Sequence, residues 1–390
     1  MADTAEKKAA FCPHYKNCGG CQFQNRSYDE QLYHKQCFAI ETLGRFGHVD
    51  DIIGMNDPLH YRNKVHAAFG IDGNGKIVSG IYKAGTHKIV NVDKCLIDDE
   101  ISDNIILSVR NMLRPFKIRV FDERSGNGWL RHVLVRRGFS TSEVMVVLVA
   151  VSPIFKLQKP FIKKLLEIHP EITTIILNIN DRFGPVVLGT RNKVLYGSGY
   201  IEDELCGNVF RISPSSFYQI NPVQTRRLYA KALEFAELTG KEAVLDAYCG
   251  IGTIAITASS KAKQVIGVEL NKEAVSDAIA NARRNGIKNC WFASEDAGKY
   301  MEQMAEEKVK PDVVFMDPPR SGSDEKFLSS LVKSSPEKIV YISCNIETQA
   351  RDLEYLEANG YKVRRIQPID MFPMTSHLEC VVQLCRAGNN

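Results

Sequence analysis

The sequence has no long apolar run. No segment approaches the roughly 20 consecutive apolar residues that a membrane-spanning helix needs. Residues 1–10 are charged and polar, so they lack the apolar core of a secretory signal. Because the usual marks of membrane insertion and export are missing, we expect a cytoplasmic protein with no membrane partner.

Strong net charge and repetition are absent too. The formal net charge is only +4 at pH 7, which neither requires nor opposes a nucleic-acid partner. No internal repeat or low-complexity tract is visible in the 390 residues. The 44% apolar and 25% charged residues are typical of globular domains, and the length allows two or three of them.

Cysteine, in contrast, is plentiful. There are eleven cysteines, and an odd number in a chain of cytosolic character favours metal binding or catalysis over disulfides. Cys12, Cys18 and Cys21 fall within ten residues, and two glycines separate the last two. Such a loop suits a metal centre, and zinc and an iron–sulfur cluster both fit the spacing. Cys95 is the candidate for a fourth ligand; Cys37 competes with it but lies in a predicted amphipathic helix.

The first half of the chain is rich in predicted strands. Residues 65–90 alternate apolar and polar side chains between glycines, which predicts antiparallel hairpins. Further strands are predicted at 117–122, 129–136, 144–151, 173–178 and 186–189, and helices at 28–44, 101–113 and 156–168. In the second of these strands, Arg131 would lie on one face and His132 and Arg136 on the other. This basic strand is either an RNA-contacting surface or an ordinary solvated face.

From about residue 200 onward, helices and strands alternate, which is typical of a doubly wound α/β domain. A strand ending at Asp246 leads into the turn Tyr248-Cys-Gly-Ile-Gly-Thr253 and then a helix, an arrangement that brings a nucleotide close to the backbone. The next strand ends at Glu269, about twenty positions later, where a carboxylate would bind a ribose diol. NAD is one candidate ligand, but S-adenosylmethionine is favoured because the turn lacks the three-glycine spacing of dinucleotide sites.

Two later strands end in residues that carry chemistry. The apolar runs 313–316 and 339–342 predict buried parallel strands, joined by a crossover helix at 324–333. Asp317 follows the first run and Cys344 the second. Because parallel strands end at one sheet edge, where open α/β sheets bind ligands, the sequence predicts an active site there.

These motifs resemble those of the RNA 5-methyluridine methyltransferases, which methylate carbon 5 of uracil. The resemblance covers nearly the whole chain and rests on these segments: Cys12-x5-Cys18-Gly-Gly-Cys21, His60-Tyr-Arg-Asn-Lys64, Phe217-Tyr-Gln219-Ile-Asn221-Pro222, Asp246-Ala-Tyr248-Cys249-Gly250, Asp317-Pro-Pro-Arg320, Ser343-Cys344-Asn345 and His377-Leu-Glu379. In particular, the chain resembles the iron–sulfur-containing type that acts on 23S ribosomal RNA.

The resemblance implies roles for individual residues. A [4Fe–4S] cluster would be held by Cys12, Cys18, Cys21 and Cys95, with a structural or RNA-contacting role. S-adenosyl-L-methionine would be bound by Gln219, Tyr248, Gly250, Thr253, Glu269, Asp296 and Asp317. Thr253 departs from the Asn that often stands at its position in the family.

The chemistry of the reaction explains why a thiol and a carboxylate are needed. Carbon 5 of uracil is a weak nucleophile, and addition of a thiolate to carbon 6 activates it. Cys344 is the predicted nucleophile, and Arg320 is expected to lower the pKa of its thiol. A general base must later remove the carbon 5 proton. Glu379 is the predicted base, with Asp317 as its rival.

The change of pattern near residues 200–211 predicts a division into domains, and the family implies that the helix after the cluster loop packs on the catalytic domain. Residues 1–55 would hold the tail, the cluster loop and a helix that packs on the catalytic domain. Residues 56–210 would form a β-rich RNA-binding domain, and residues 211–390 a Rossmann-like methyltransferase domain. Many members begin with a small RNA-binding barrel, the TRAM domain, but only eleven residues precede Cys12. We therefore expect a protein without that barrel, which recognises RNA through its central region. We also expect a monomer.

Three alternatives stay open. A uridine in the tRNA T-loop is a second possible target within the same family. Amino-group methyltransferases also use an Asp-Pro-Pro motif, but usually with an aromatic residue where Arg320 stands, and they need no thiol. A non-catalytic iron–sulfur RNA-binding protein would tolerate the loss of both Cys344 and Glu379.

Overall fold

The computed structural model describes residues 12–182, 184 and 186–388. The chain divides into two compact units. The first comprises residues 1–27, 57–204 and 211–215, and the second comprises residues 28–56, 205–210 and 216–390. Within the described ranges, no helix is long and apolar enough to cross a membrane.

The described residues form sixteen strands and nine α-helices. In chain order they are α1 (Tyr28–Leu43), β1 (Lys64–Ile71), β2 (Ile77–Tyr82), β3 (Ile89–Asn91), α2 (Glu100–Leu113), β4 (Leu130–Arg137), β5 (Val144–Ala150), α3 (Gln158–Ile168), β6 (Ile172–Ile179), β7 (Arg191–Tyr196), β8 (Ile201–Leu205), β9 (Asn208–Ile212), α4 (Pro222–Ala236), β10 (Ala243–Ala247), α5 (Thr253–Ser259), β11 (Gln264–Glu269), α6 (Lys272–Arg284), β12 (Cys290–Ser294), α7 (Ala297–Glu306), β13 (Val313–Met316), α8 (Glu325–Ser334), β14 (Lys338–Ser343), α9 (Ile346–Ala358), β15 (Tyr361–Ile369) and β16 (Glu379–Arg386).

The first unit is built on a mixed sheet in the order β3-β2-β1-β4-β5-β6-β7. β5 and β6 run parallel, and the other neighbouring pairs are antiparallel. Alternate side chains such as Val133 and Val146 pack against apolar residues of α2 and α3, including Val109 and Phe161. The predicted hairpins and helices of this region are confirmed.

Two strands predicted for this unit are wrong. Residues 117–122 form only two isolated bridges, Val120 with Leu130 and Asp122 with Asn127. Turns flank them: Lys117 adopts a φ of +54°, and the Asp122 carboxylate accepts hydrogen bonds from two backbone N–H groups just after it. Residues 186–189 make no β-sheet hydrogen bonds as a strand. Instead, Asn180 Nδ2 donates to two of their backbone carbonyls. The chain pairs with β6 only afterwards, as β7.

The basic strand β4 is buried on both faces. Arg131 donates to backbone carbonyls at residues 180 and 182 and lies 3.1 Å from a carboxylate oxygen of Glu123. His132 and Arg136, which point the other way, are only 6% and 5% exposed. Because Arg131, His132 and Arg136 are all buried, they form neither the predicted RNA-contacting surface nor the alternative solvated face, and both interpretations of this strand are wrong.

The second unit is built on a sheet in the order β12-β11-β10-β13-β14-β16-β15. The first five strands are parallel, and β16 runs antiparallel to both β14 and β15. The strands predicted at 313–316 and 339–342 and the crossover helix between them are confirmed. Ala39 and Leu43 of α1 join the core of this unit, as expected for the early helix. The predicted α/β fold class is confirmed for this unit, with mixed sheets in the chain as a whole.

Candidate active site

Three strands of the second unit meet at the edge where the sequence places the active site. β13 and β14 are parallel neighbours, so Asp317 and Cys344, which follow them directly, lie at the same edge of the sheet. β16 is antiparallel to β14, with Ser343 opposite Cys380. Glu379, the first residue of β16, therefore joins Cys344 and Asp317 at this edge.

The two carboxyl groups at this edge influence each other. Glu379 is 2% exposed, and burial, with the nearby Asp317 carboxylate, raises the pKa of Glu379 well above its usual value. Burial also raises the pKa of Asp317. A raised pKa makes a carboxylate a stronger proton acceptor once it is ionised, so this edge of the sheet offers two candidate general bases.

Cys344 is held as a thiol by its surroundings. Burial is the main influence, and with the charges of Glu379 and Asp317 it raises the pKa of Cys344 to about 11. Arg320 lowers the pKa through its charge and a hydrogen bond, as predicted, but its influence is outweighed. The physical reason is that one cation opposes both desolvation and two carboxyl groups. Cys344 must therefore lose a proton when it acts as a nucleophile.

The two loops at this edge are tied together. Asn345 Nδ2 donates to the Arg320 carbonyl at 3.0 Å, and Thr348 Oγ1 donates to the same oxygen at 3.2 Å. The Asn345 side chain also caps α9 by accepting the N–H of Glu347. The loop that carries Arg320 is thereby fixed against the loop that carries Cys344.

The turn after β10 has the backbone that a close-lying nucleotide requires. Tyr248, Gly250 and Gly252 all adopt positive φ, at 65°, 56° and 84°. A Cβ on Gly252 would lie 2.9 Å from the Phe292 ring, so no side chain fits there. Gly250 N donates to Glu269 Oε2 at 3.1 Å. The carboxylate predicted to bind ribose therefore lies directly against the turn.

The other predicted cofactor residues lie at the ends of elements in the same unit. Thr253 begins α5, and its hydroxyl lies 2.8 Å from the Tyr229 hydroxyl. Asp296 caps α7 by accepting the N–H of a residue in its first turn at 3.0 Å. Burial and nearby carboxylates, Asp296 among them, raise the pKa of Tyr248 to about 12. Gln219 is 7% exposed and lies just before α4.

Asp246 is a site residue to which the sequence reasoning gave no role. It is fully buried at the end of β10. Its Oδ2 accepts the N–H of Ala255 at 2.8 Å, whereas Oδ1 has no hydrogen-bond partner in the part of the chain that the structure describes. A buried acceptor without a donor is costly unless a ligand supplies one. The ammonium group of S-adenosylmethionine is such a donor, so this turn fits the cofactor.

In the first unit, three of the four predicted cluster ligands line one cavity. They are Cys12, Cys18 and Cys95. Cys21 lies close by, since burial and the charges of Cys18 and Cys12 raise the pKa of its thiol. Gly20 N donates to Cys18 Sγ at 3.3 Å, and all four cysteines are free thiols.

Among the residues that the structure describes, no group of three or more His, Cys, Asp or Glu could hold a single metal ion. A [4Fe–4S] cluster is larger than one ion and takes one thiolate at each iron, and N–H donors to the sulfurs tune its potential. The four thiols and the donor at Cys18 therefore fit a cluster in chemistry, although the predicted cluster itself is not shown.

Comparison with known proteins identifies the family. The sequence profile described as tRNA (Uracil-5-)-methyltransferase matches residues 27–387. The chain belongs to this family. An uncharacterized RNA methyltransferase of Halalkalibacterium halodurans is 43% identical over 384 residues, which are 97% of this chain and 84% of that protein. One of Caldanaerobacter subterraneus is 44% identical over 374 residues, which are 95% of this chain and 82% of that protein.

A solved structure is similar over most of the chain. It is the tRNA (uracil-54, C5)-methyltransferase of Pyrococcus abyssi in complex with S-adenosyl-L-homocysteine, with a TM-score of 0.79 and 29% identity, covering 94% of this chain and 86% of that one. The predicted enzyme class, an RNA (uracil-5-)-methyltransferase, is confirmed, and RNA and S-adenosyl-L-methionine are supported as substrate and cofactor. The non-catalytic alternative is therefore wrong, and the amino-group alternative has no support.

Proposed function

We propose that this enzyme methylates carbon 5 of a specific uridine in RNA through a covalent adduct between Cys344 and carbon 6 of the uracil. The observation that carries the proposal is the meeting of Cys344 with Glu379 and Asp317 at one sheet edge. A nucleophile and a base beside each other are the two groups that this chemistry needs.

The reaction begins with Cys344. Asp317 takes the thiol proton, the sulfur donates an electron pair to carbon 6, and the π electrons of the ring move toward carbon 5 and the adjoining carbonyl. Arg320 favours the thiolate. S-adenosyl-L-methionine, when bound, would supply the electrophilic methyl group for carbon 5; the bond between that methyl group and the sulfonium sulfur breaks, and S-adenosyl-L-homocysteine is the leaving group. The resemblance implies that Asp317 binds the cofactor, and here it has a proton-accepting role as well.

Glu379 completes the reaction. It takes the proton from carbon 5, the electrons of that bond restore the double bond between carbons 5 and 6, and the Cys344 sulfur leaves and regains a proton from Asp317. Glu379 is preferred to Asp317 as this base because Asp317 also lies near the cofactor turn, where its charge reaches Asp246.

The cofactor is proposed to lie along the strand ends from β10 to β13. Glu269 would accept from the ribose hydroxyls, Asp246 from the ammonium group and Asp296 from the adenine amino group. The remaining predicted residues would line the same site: Gln219, Tyr248, Gly250, Thr253 and Asp317.

The first unit is proposed to recognise RNA and to carry the cluster. Cys12, Cys18, Cys21 and Cys95 would hold [4Fe–4S], which supplies a rigid, thiolate-bound core and no step of methyl transfer. The division at residues 55 and 210 remains our proposal for the domains, and we propose a monomer that acts in the cytoplasm.

Two RNAs are proposed as the target, 23S ribosomal RNA and, as the alternative, tRNA. The cysteine set supports 23S ribosomal RNA, because the chain resembles the cluster-bearing type that acts there. A uridine of tRNA is the alternative, favoured by the similarity to the Pyrococcus abyssi enzyme that is named for uracil-54 of tRNA.

The experiment that tests the function is product analysis. Total RNA from cells lacking the enzyme would be incubated with protein and S-adenosylmethionine labelled in its methyl group, then digested to nucleosides. We expect labelled 5-methyluridine from the wild type and from Cys37→Ala, an exposed-thiol control, and none from Cys344→Ala. Separation of ribosomal RNA from tRNA before digestion names the target. Label on an amino nitrogen, or full activity of Cys344→Ala, would contradict the proposal.

A further inference from the structure

A buried ion pair joins α1 to the loop that precedes Glu379. Lys35 Nζ lies 2.6 Å from Asp370 Oδ1, and the two side chains are 1% and 0% exposed. Tyr28 donates its hydroxyl to Asp370 Oδ2 at 2.9 Å. Lys35 Nζ also donates to the Phe372 carbonyl at 3.1 Å. Both oxygens of the Asp370 carboxylate are thereby held from α1.

Asp370 of this ion pair lies next to the residue that pairs with Glu379 across the two strands. Residues 370–378 connect β15 to β16, and Ile369 at the end of β15 is the cross-strand partner of Glu379. Asp370 follows Ile369, so the ion pair fixes the backbone one residue beyond the partner of the proposed base. The direction of the Glu379 side chain therefore depends on a strand end that Lys35 and Tyr28 hold.

The same loop is anchored at neighbouring points. Gln31 of α1 accepts the N–H of Met374 at 2.9 Å. From the start of α4, Asn221 Nδ2 donates to the Met371 carbonyl at 3.0 Å, and Gln224 Nε2 donates to the Asp370 carbonyl at 2.9 Å. Asn221 lies two residues after Gln219, a proposed cofactor residue. The loop before the base is thus fastened both to α1 and to the cofactor segment.

A buried ion pair is a poor source of stability, because desolvation offsets much of its attraction and apolar side chains of similar size often do as well. Its geometric demand is strict, however, since both charges must stay aligned to avoid an uncompensated buried charge. Such a pair suits a place where a backbone must be held at one position.

We propose that the Lys35–Asp370 pair is a positioning element for Glu379, which keeps the loop at 370–378 in the one arrangement that aims the carboxylate at carbon 5. This inference rests on the proposed function, in which only the last step needs Glu379. Addition of Cys344 and methyl transfer precede proton removal. Loss of the pair should therefore impair release of the methylated product more than formation of the adduct.

The test separates these two steps with the full-length protein. On RNA containing 5-fluorouridine, carbon 5 carries no proton for the base to remove, so the methylated adduct accumulates without help from Glu379. On ordinary RNA, product release needs the base. The variants are Lys35→Met and the milder Tyr28→Phe, with Glu379→Gln as the reference. Lys326→Met is the matched control, since Lys326 forms an exposed pair with Glu302 at 3.1 Å.

We expect Lys35→Met to form the 5-fluorouridine adduct within about threefold of the wild-type rate and to release 5-methyluridine at least about tenfold more slowly. Covalent adduct should then accumulate on ordinary RNA, as with Glu379→Gln. Tyr28→Phe should show the same split to a smaller degree, and Lys326→Met should match the wild type.

An equal fall in both steps, or no fall in either, would overturn the inference. If Lys35→Met does not fold, the same criteria apply to Tyr28→Phe, which keeps both charges. Absence of any adduct with the wild type is a different result, because it would overturn the proposed function itself.

Discussion

At the scale of single residues, the reactivity of Cys344 depends on opposing influences. Burial and the carboxyl groups of Glu379 and Asp317 raise the pKa of the thiol to about 11, and Arg320 lowers it. A thiolate is the reactive form, so reactivity should grow with pH up to that pKa. Methyl transfer should follow the same trend wherever addition to carbon 6 limits the rate.

Replacement of Arg320 tests this balance. Arg320→Gln removes the group that lowers the pKa of Cys344, so the pKa should rise and the thiolate fraction at any lower pH should fall. We expect slower alkylation of Cys344 by iodoacetamide across about pH 7 to 10, with the midpoint displaced upward. Peptide mass spectrometry reports the labelling, and Lys326→Gln is the exposed control. An unchanged pH profile would show that Arg320 does not act on the thiol.

At the scale of elements, the turn after β10 depends on a glycine at a position where any side chain would be strained and crowded. Gly252 has a φ of +84°, and its missing side chain leaves room for the Phe292 ring. Gly286, after α6, has a φ of +66°, and no atom lies within 4 Å of the place that a Cβ would take there. Both glycines therefore need a positive φ, but only at Gly252 would an added Cβ contact a neighbouring side chain.

This contrast gives a matched pair of variants. Gly252→Ala and Gly286→Ala should each lose about 1–2 kcal/mol of unfolding free energy from positive φ. Only Gly252→Ala should also displace Phe292 and weaken binding of S-adenosylmethionine. Calorimetric titration and chemical denaturation measure the two effects. Equal cofactor affinity in both variants would contradict the assignment of this turn to the cofactor.

Individual elements also show which parts of the fold and the site could be predicted from the sequence. The strands before Asp317 and Cys344 were predictable because short apolar runs with turn signals mark buried parallel strands. Residues 186–189 were mistaken for a strand because their apolar side chains gave no sign that Asn180 would hold their carbonyls. Asp246 was visible as a strand-end carboxylate, but its unpartnered oxygen depends on packing that no local pattern contains.

At the scale of the whole molecule, the contacts that form the proposed sites join residues far apart in the chain. Lys35 and Asp370 are 335 residues apart, and neither segment has a pattern that points to the other. Cys95 likewise meets Cys12 and Cys18 in one cavity only after the first unit has folded. Cysteine spacing predicted Cys12, Cys18 and Cys21 as candidate ligands. Cys95 was the candidate for the fourth, with Cys37 as its competitor, and the family resemblance implies Cys95.

The metal content of the protein tests that fourth ligand. Protein purified without oxygen should contain about four iron atoms and about four labile sulfides per chain. Cys95→Ala should lose them, because one iron would lack its thiolate. Cys37→Ala, which removes the competing thiol on α1, should keep them. Loss of iron from Cys37→Ala alone, or zinc without sulfide in the wild type, would contradict the proposed cluster.

The most direct measurement of the central claim is the site of the covalent adduct. Protein would be incubated with 5-fluorouridine RNA and S-adenosylmethionine, digested with nuclease and protease, and analysed by peptide mass spectrometry. We predict a methylated fluorouridine nucleotide on Cys344, and none on Cys249 or Cys380 in the same sample. An adduct on another cysteine, or its absence while ordinary RNA is methylated, would contradict the account.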